Sequence, residues 1–277
     1  MPYQLADLQH GKAEVRIVKV DRADPTHVLH DLNVTTQLRG DFASAYLEGD
    51  NSHVHATDTQ KNTVYAFARE HGVDSPETFL LALAEHWGRQ PYVSGIELSA
   101  ESYAWERLPQ NGHSFARSGQ ETRVAYVDAD GPITTIRAGL TDLVVLKSTD
   151  SEFHGFPRDH YTTLPETDDR ILATSVSAIW TYAADAVDVD FDASYATARA
   201  GLLAAFADTH SLALQQTINA MGAAVLDAVP HVASIHITCP NKHHFLVDLA
   251  PFGLDNPGEV FFAADRPYGL ISATVSR

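Results

Sequence analysis

Val28, His30, Leu32, Val34, Thr36 and Leu38 alternate with polar neighbours at period two, and a shorter apolar run at Val15, Ile17 and Val18 to Val20 precedes them. Both patterns predict β-strands. Asp58 to His71 then carries Val64, Phe67 and Ala68 at helical intervals before Gly72. Ser75-Pro76 supplies a cap and a first helical residue for a second helix through Phe79, Leu83 and Trp87. Ile96 and Leu98 alternate with Glu97 and Ser99 on the way to Trp105, and Arg123 to Val127 reads as the partner strand across a Gly-rich turn.

After Asp128-Ala-Asp-Gly-Pro132 the same order recurs. Strand-like runs at Leu143 to Lys147 and Ile171 to Tyr182 lead to an Ala-rich helix from Ala193 to about His210, and a second helix runs from Ser211 to Val229. Pro230 ends it, and strands follow at Val232 to Thr238, Phe245 to Leu249, Val260 to Phe262 and Leu270 to Val275. The expectation is an α+β fold of two tandem units, residues 1–130 and 131–277. Such units leave sheet edges that must be closed by another copy or chain, so self-association is expected.

With 277 residues and 44% hydrophobic content, the chain can bury one large core or two modest ones without staples. Met1 to Lys12 contain no apolar h-region and no run approaches the length of a membrane span, so neither export nor insertion is expected. The single Cys239 suits a reducing compartment and argues against a cysteine-rich metal site, which together predict a cytoplasmic protein. A formal charge of −17 repels nucleic acid and anionic lipid and leaves a small ligand as the expected partner. An anionic ligand then depends on a few local cations. The acidic excess itself reads either as adaptation to salt or as a solvated surface, and the surface reading is favoured.

Several residues have chemistry to offer. Lys12 stands just before the first strand in HGKAEV, and Thr57-Asp58 stand where a strand gives way to a helix in HATDTQKNTVYAFA. Each alone reads as a solvated lysine or a helix cap. Together they offer an amine that burial can hold neutral and a hydroxyl able to relay its proton, the logic of a general-base dyad. Phe153 and Arg170 bracket a loop rich in turn and charged residues. One reading puts Phe153 in the core and pairs Arg170 with Asp168, Asp169 or Asp159. The other lets the guanidinium fork grip a planar anion while the ring stacks beneath it. Gln215 is either a solvated first-turn residue or an amide that reads a purine edge. Asn241-Lys242-His243 looks like a turn between strands, from which His243 can move protons near neutral pH. His53-Val-His55 puts two imidazoles on one face of a strand, a weakly specific metal pair with His236, His243 or His244 as a third ligand.

The blocks HGKAEVRIVKV, ATDTQKNTVYAFA, LKST with FHGF and RDHYTTL, ETDDRILAT, LQQT and PNKHHF follow one another in the order found in urate oxidases, and the chain resembles that family over nearly its whole length. The segment from Leu146 to Tyr182 carries the plainest signature. The resemblance implies two tandem tunnelling-fold units of antiparallel sheet and paired helices, assembled as a homotetramer around a β-barrel tunnel with sites between subunits. It implies oxidation of urate by O2 and water to 5-hydroxyisourate and hydrogen peroxide, without metal, flavin or other cofactor. By the same resemblance, Lys12 and Thr57, helped by His243, are the catalytic residues. Asp58, Phe153, Arg170, Leu214, Gln215 and Asn241 shape the substrate site.

Three features depart from the family pattern. His154 follows Phe153 where an aromatic is common, Leu214 stands where valine is usual, and Thr274-Val-Ser-Arg277 is not the Ser-Lys-Leu type address of eukaryotic members. The first bears on the pocket wall, and the second is close to volume-neutral. Two other readings stay open: a zinc-dependent pterin-type enzyme on the same fold with His53 and His55 as ligands, and a purine-binding protein without turnover.

Overall fold

A computed structural model describes residues 3–186 and 188–277. Its elements are β1 (Gln9–Asp21), β2 (Val28–Gly40), α1 (Ala43–Leu47), α2 (Thr57–Glu70), α3 (Pro76–Gly88), β3 (Val93–Ser102), β4 (Trp105–Arg107), β5 (Phe115–Arg117), β6 (Thr122–Asp130), β7 (Ile133–Lys147), β8 (Leu172–Tyr182), α4 (Phe191–Asp208), α5 (Leu214–Ala228), β9 (Val232–Asn241), β10 (His244–Leu246), β11 (Phe261–Ala263) and β12 (Gly269–Ser276), with a 3-10 turn at Ala250–Phe252. Helices and antiparallel sheet are mixed, as the α+β reading expects. Among the described residues no helix is long and apolar enough to cross a membrane.

The chain forms two compact units, Met1–Gly139 with Thr181–Ala193, and Leu140–Trp180 with Ser194–Arg277. The division expected between residues 130 and 131 falls in the turn joining β6 to β7, and β7 begins in one unit and ends in the other. That strand starts at Ile133, well before the expected Leu143, because Gly131 adopts the left-handed φ of 56° and turns the chain tightly out of β6. Helix α1 and the β4–β5 hairpin were not expected; three-residue strands and a one-turn helix are too short to show a period.

In the first unit, hydrogen-bonded neighbours run β1-β2-β3-β6, all antiparallel. On β2 the alternating Leu32, Val34, Thr36 and Leu38 are all buried, so period two marks the face that α2 and α3 cover. Helix α3 begins as expected, with the Ser75 hydroxyl accepting from the Thr78 amide at 3.1 Å and Pro76 in the first turn. Its Phe79, Leu80, Leu83 and Trp87 fill the core. Helix α2 buries Gln60, Val64 and Ala68, a stripe at four-residue spacing whose first member is an amide.

Strand β1 departs from simple alternation. Lys12 pairs with Thr36 and Val15 with Val34, so Ala13 and Glu14 together oppose Thr35 alone. This bulge puts Glu14 at φ 55°, with its amide donating to the Thr35 hydroxyl at 3.0 Å. The extra residue shifts the side-chain parity, and Lys12 thereby shares the covered face with Val15 and Ile17. Lys12 was expected ahead of the first strand; it lies within it, because the alternation that marks β1 restarts only after the bulge.

In the second unit the neighbours run β8-β9-β12, with β9 and β12 antiparallel and α5 packed on both. Gly222 permits that approach, since a Cβ there would fall 2.5 Å from a Val275 methyl. Trp180, Leu202, Leu214, Ile218 and Ile235 are buried there. Helix α5 starts at Leu214 and not at the expected Ser211, because Ser211 is held in extended backbone: its amide donates to the Asp150 carbonyl and its carbonyl accepts from the Glu152 amide.

One buried ion cluster holds the first unit. Arg123 on β6 donates to the wholly buried Glu77 at 2.7 Å and to the half-exposed Asp192 at 2.6 Å. Burial pushes the Glu77 carboxyl above its ordinary range although the Arg123 charge beside it pulls the other way. Arg123→Met is expected to cost about 3–5 kcal/mol, because it strands Glu77 without a counter-charge. Asp192→Asn is expected to cost less than about 1 kcal/mol, because that carboxylate is solvated. Urea denaturation of both variants checks the ranking, and equal losses would contradict it.

Candidate active site

Two groups of expected site residues are assembled, one in each unit. In the first unit, the bulge in β1 sets Lys12 opposite Thr36 on the covered face of the sheet. Among the described residues no ion pair occupies its amine. Thr57 opens α2, whose N-cap is Ala56 with no side-chain cap bond, so neither the Thr57 hydroxyl nor Asp58 is consumed as a cap. Thr57 also lines a pocket of about 250 Å³ with His10, Tyr46, Val54 and His55. Asp58 instead accepts from Lys61 and from Asn62 at 3.2 Å. The hydrogen bond from Lys61 holds its carboxyl below the ordinary range, reinforced by the charges of Lys61 and Lys12. Lys12 therefore lies within electrostatic reach of the helix start that carries Thr57.

In the second unit, Phe153 exchanges both backbone hydrogen bonds with Thr167, at 3.0 and 3.2 Å, which closes the loop between them. Its ring stacks on Phe156 at 4.9 Å, and the Arg170 guanidinium lies over it at 5.1 Å from the ring centre. The three aspartates read as partners of Arg170 are engaged elsewhere: Asp168 with His154, Asp169 with the Thr149 hydroxyl, and Asp159 with Thr162 and the Tyr161 amide. Among the described residues, Arg170 donates a hydrogen bond only to the Ser151 hydroxyl, at 3.4 Å. Burial alone lowers its pKa. Half-buried and, among the described residues, without a carboxylate partner, it presents a guanidinium fork of the kind that suits a planar anion.

The same end of that unit gathers the other residues. A parallel bridge between Ser151 and Ser211 ties the Phe153 loop to the segment leading into α5, where Leu214 is buried and Gln215 is exposed. The Gln216 side-chain carbonyl accepts from the Leu212 amide at 2.8 Å, whereas the Gln215 side chain stands exposed. Asn241 ends β9, and the Lys242 amide donates at 2.8 Å to the Ala173 carbonyl on β8, three residues beyond Arg170. His243 follows, its ring facing Phe245 at 5.9 Å.

Sequence reasoning missed the groups that hold this arrangement together. Ser151, Ser211 and Thr217 are wholly buried, with Thr217 donating to the Ser211 hydroxyl at 2.8 Å. Isolated serines and threonines in loops carry no periodic signal, and only the tertiary contacts reveal them. His154 is engaged with Asp168 at 2.9 Å, with Glu152 and Glu166 at 3.7 and 4.0 Å, and so belongs to a carboxylate cluster. The strand placement that made His53 and His55 a weakly specific metal alternative needs correction. These residues lie in a loop, not on a strand, and their rings part: His53 stacks on Tyr92 at 3.7 Å while His55 meets the edge of Trp87 at 5.3 Å. Among the described residues no group of three or more His, Cys, Asp or Glu side chains is placed to hold a metal ion.

A family model described as Uricase matches residues 8–128 and 136–272 of this chain. Uricase of Arthrobacter globiformis is 58% identical over 274 residues, covering 99% of this chain and 90% of that protein. Uricase of Aspergillus flavus is 37% identical over 288 residues, covering 97% and 95%. The crystal structure of the Arthrobacter globiformis uricase superposes with a TM-score of 0.97 at 57% identity, covering 100% of this chain and 96% of that one. A crystal structure of urate oxidase from Bacillus sp. TB-90 shares the fold at 23% identity, with a TM-score of 0.84 over 98% and 100% of the two chains.

Behind the Phe153 loop, His210 bonds Glu152 and lies 3.5 Å from Asp150. The hydrogen bond to Glu152, then the two carboxylate charges, raise its pKa above the ordinary 6.5. A raised folded value means that the tether is complete below about pH 6.5 and is lost as pH rises through the folded value. The gap in Tm between wild type and His210→Ala is therefore expected to be widest on the acid side and to narrow on the alkaline side. A gap that stays constant between about pH 6 and about pH 9 would contradict the assignment.

Proposed function

The chain belongs to the uricase family and is a urate oxidase, and from that premise we propose how its two groups of residues share the reaction. The observation that carries the reading is Arg170, which has no carboxylate partner among the described residues and lies 5.1 Å from the centre of the Phe153 ring. A flat anion meets there a bidentate donor for its edge and an aromatic face for its ring. Gln215 reads the neighbouring edge with an amide that both donates and accepts. Leu214 closes the pocket from beneath, and Asp58 keeps the start of α2 in place through Lys61 and Asn62.

Urate gives up two electrons and two protons, O2 takes them to become hydrogen peroxide, and the oxygen of water becomes the hydroxyl of 5-hydroxyisourate. Lys12 draws a proton from the bound anion through the Thr57 hydroxyl, with His243 assisting, and the electron-rich dianion then reduces O2 directly. O2, and later the attacking water, sit above the ring between Thr57 and Asn241. The protein contributes orientation and proton transfer, worth orders of magnitude in rate, and no metal or organic cofactor takes part.

The proton-moving group and the anion-holding group belong to different copies of the chain, in a cytoplasmic homotetramer of tandem tunnelling-fold units around a β-barrel. Within its own unit each of β1 and β12 has a neighbouring strand on one side among the described residues, with Val18 61% and Leu270 69% exposed, which supports closure against further copies. The zinc-dependent alternative loses its support in the divergence of His53 and His55.

Protein mixed with urate in air is expected to remove the urate absorbance while peroxide appears in equal amount, with a chelator making no difference. Loss of activity to the chelator and its return with zinc would overturn the cofactor-free reading. Lys12→Met is expected to bind urate as wild type does but to consume O2 at least about 100-fold more slowly, the usual worth of a positioned base. Unchanged O2 uptake would remove Lys12 from the mechanism, and urate binding without turnover in wild type would make the protein a purine-binding module.

A further inference from the structure

Gln60 is wholly buried, although its amide carries two donor hydrogens and an acceptor. Its Oε1 accepts from the Thr36 hydroxyl at 2.8 Å, while Nε2 finds no hydrogen-bond partner among the described residues. A neutral hydrogen bond returns less net free energy than an unmet buried donor takes away. Leucine in this position would complete the apolar stripe of Val64 and Ala68 without that penalty. Stability therefore does not account for the amide, and the direction of its one bond does.

Both ends of that bond adjoin the residues assigned to proton transfer. Thr57 lies three positions before Gln60 in α2, on the same helix face. Thr36 is the cross-strand partner of Lys12, brought there by the bulge in β1. One buried bond thus spans from the helix that carries Thr57 to the strand pair that carries Lys12. We infer that Gln60, through Thr36, is a positioning residue that sets the distance and angle between Lys12 and Thr57. This rests on the reading of Lys12 and Thr57 as the base dyad. Gln60 and Thr36 are both wholly buried, so the link is expected to act on turnover and to leave the grip on urate alone.

The test compares Thr36→Val, Thr36→Ser and the double variant Thr36→Val/Gln60→Leu with wild type, reading Tm, kcat and KM for urate. The double variant removes both polar groups together, so it is expected to match or exceed the wild-type Tm, with KM within about threefold and kcat lower by about 10- to 100-fold, the scale of a small misplacement of a reacting group. Thr36→Ser keeps the hydroxyl and is expected to stay within about twofold of wild-type kcat, whereas Thr36→Val is not. Should the double variant fail to fold, the Ser and Val pair at position 36 carries the same comparison. Placed in a Lys12→Met background, the double substitution is expected to cost nothing further, since the group it positions is already gone. A stable double variant at wild-type kcat, or a full additional loss in the Lys12→Met background, overturns the assignment to Gln60 while leaving the urate reaction in place. A wild-type protein that consumes no urate overturns the reading of the reaction and this inference with it.

Discussion

The bulge in β1 is the constraint on which the proposed proton-moving half of the site depends. Between Lys12 and Val15, two residues face the single Thr35, and Glu14 takes a left-handed backbone conformation to allow it. Without the extra residue, a strand that buries Val15 and Ile17 would turn Lys12 to the opposite face. With it, one continuous strand presents apolar side chains to the core and an amine beside Thr36 on the same face. The strain of a non-glycine residue at φ 55° is tolerated because β1 remains paired to β2 on both sides, from Gln9 to Lys12 and from Val15 to Asp21.

The half proposed to hold the anion rests on a different economy of charge. A protein with 36 acidic and 19 basic side chains would ordinarily neutralise any arginine near a loop as acidic as the one from Asp150 to Asp169. Here the nearby carboxylates are occupied by histidines, hydroxyls and backbone amides, and Arg170 is left against an aromatic face and one serine hydroxyl. The cluster around His154 and His210 has the same effect from behind: it absorbs Glu152, Glu166 and Asp168 into contacts with imidazoles. An acidic surface and an arginine without a carboxylate partner among the described residues coexist because the acids are spent locally.

Much of the fold was legible along the chain. The alternation of β2, the Ser75-Pro76 start of α3 and the stop at Pro230 all rest on local rules of sterics and hydrogen bonding, and each is where those rules put it. The candidate site was legible as residue types in ordered blocks, which named Lys12, Thr57, Phe153 and Arg170. It was not legible which of two readings applied to each. Whether Thr57 caps a helix depends on where the helix begins, and whether Arg170 is paired depends on where three aspartates point. The supporting residues, Thr36, Gln60, Ser151 and Ser211, were invisible, since a single polar residue on an otherwise apolar stripe looks like noise.

The sequence by itself determined the α+β class, the family and the list of residues able to carry the chemistry, because periodicity, caps and motif order are properties of neighbouring positions. Only the tertiary structure decided which of those residues are free to act. Freedom of an amine, a guanidinium or an amide is the absence of a competing partner, and partners such as Asp168 on His154 or Thr36 on Gln60 are set by packing between segments distant in the chain.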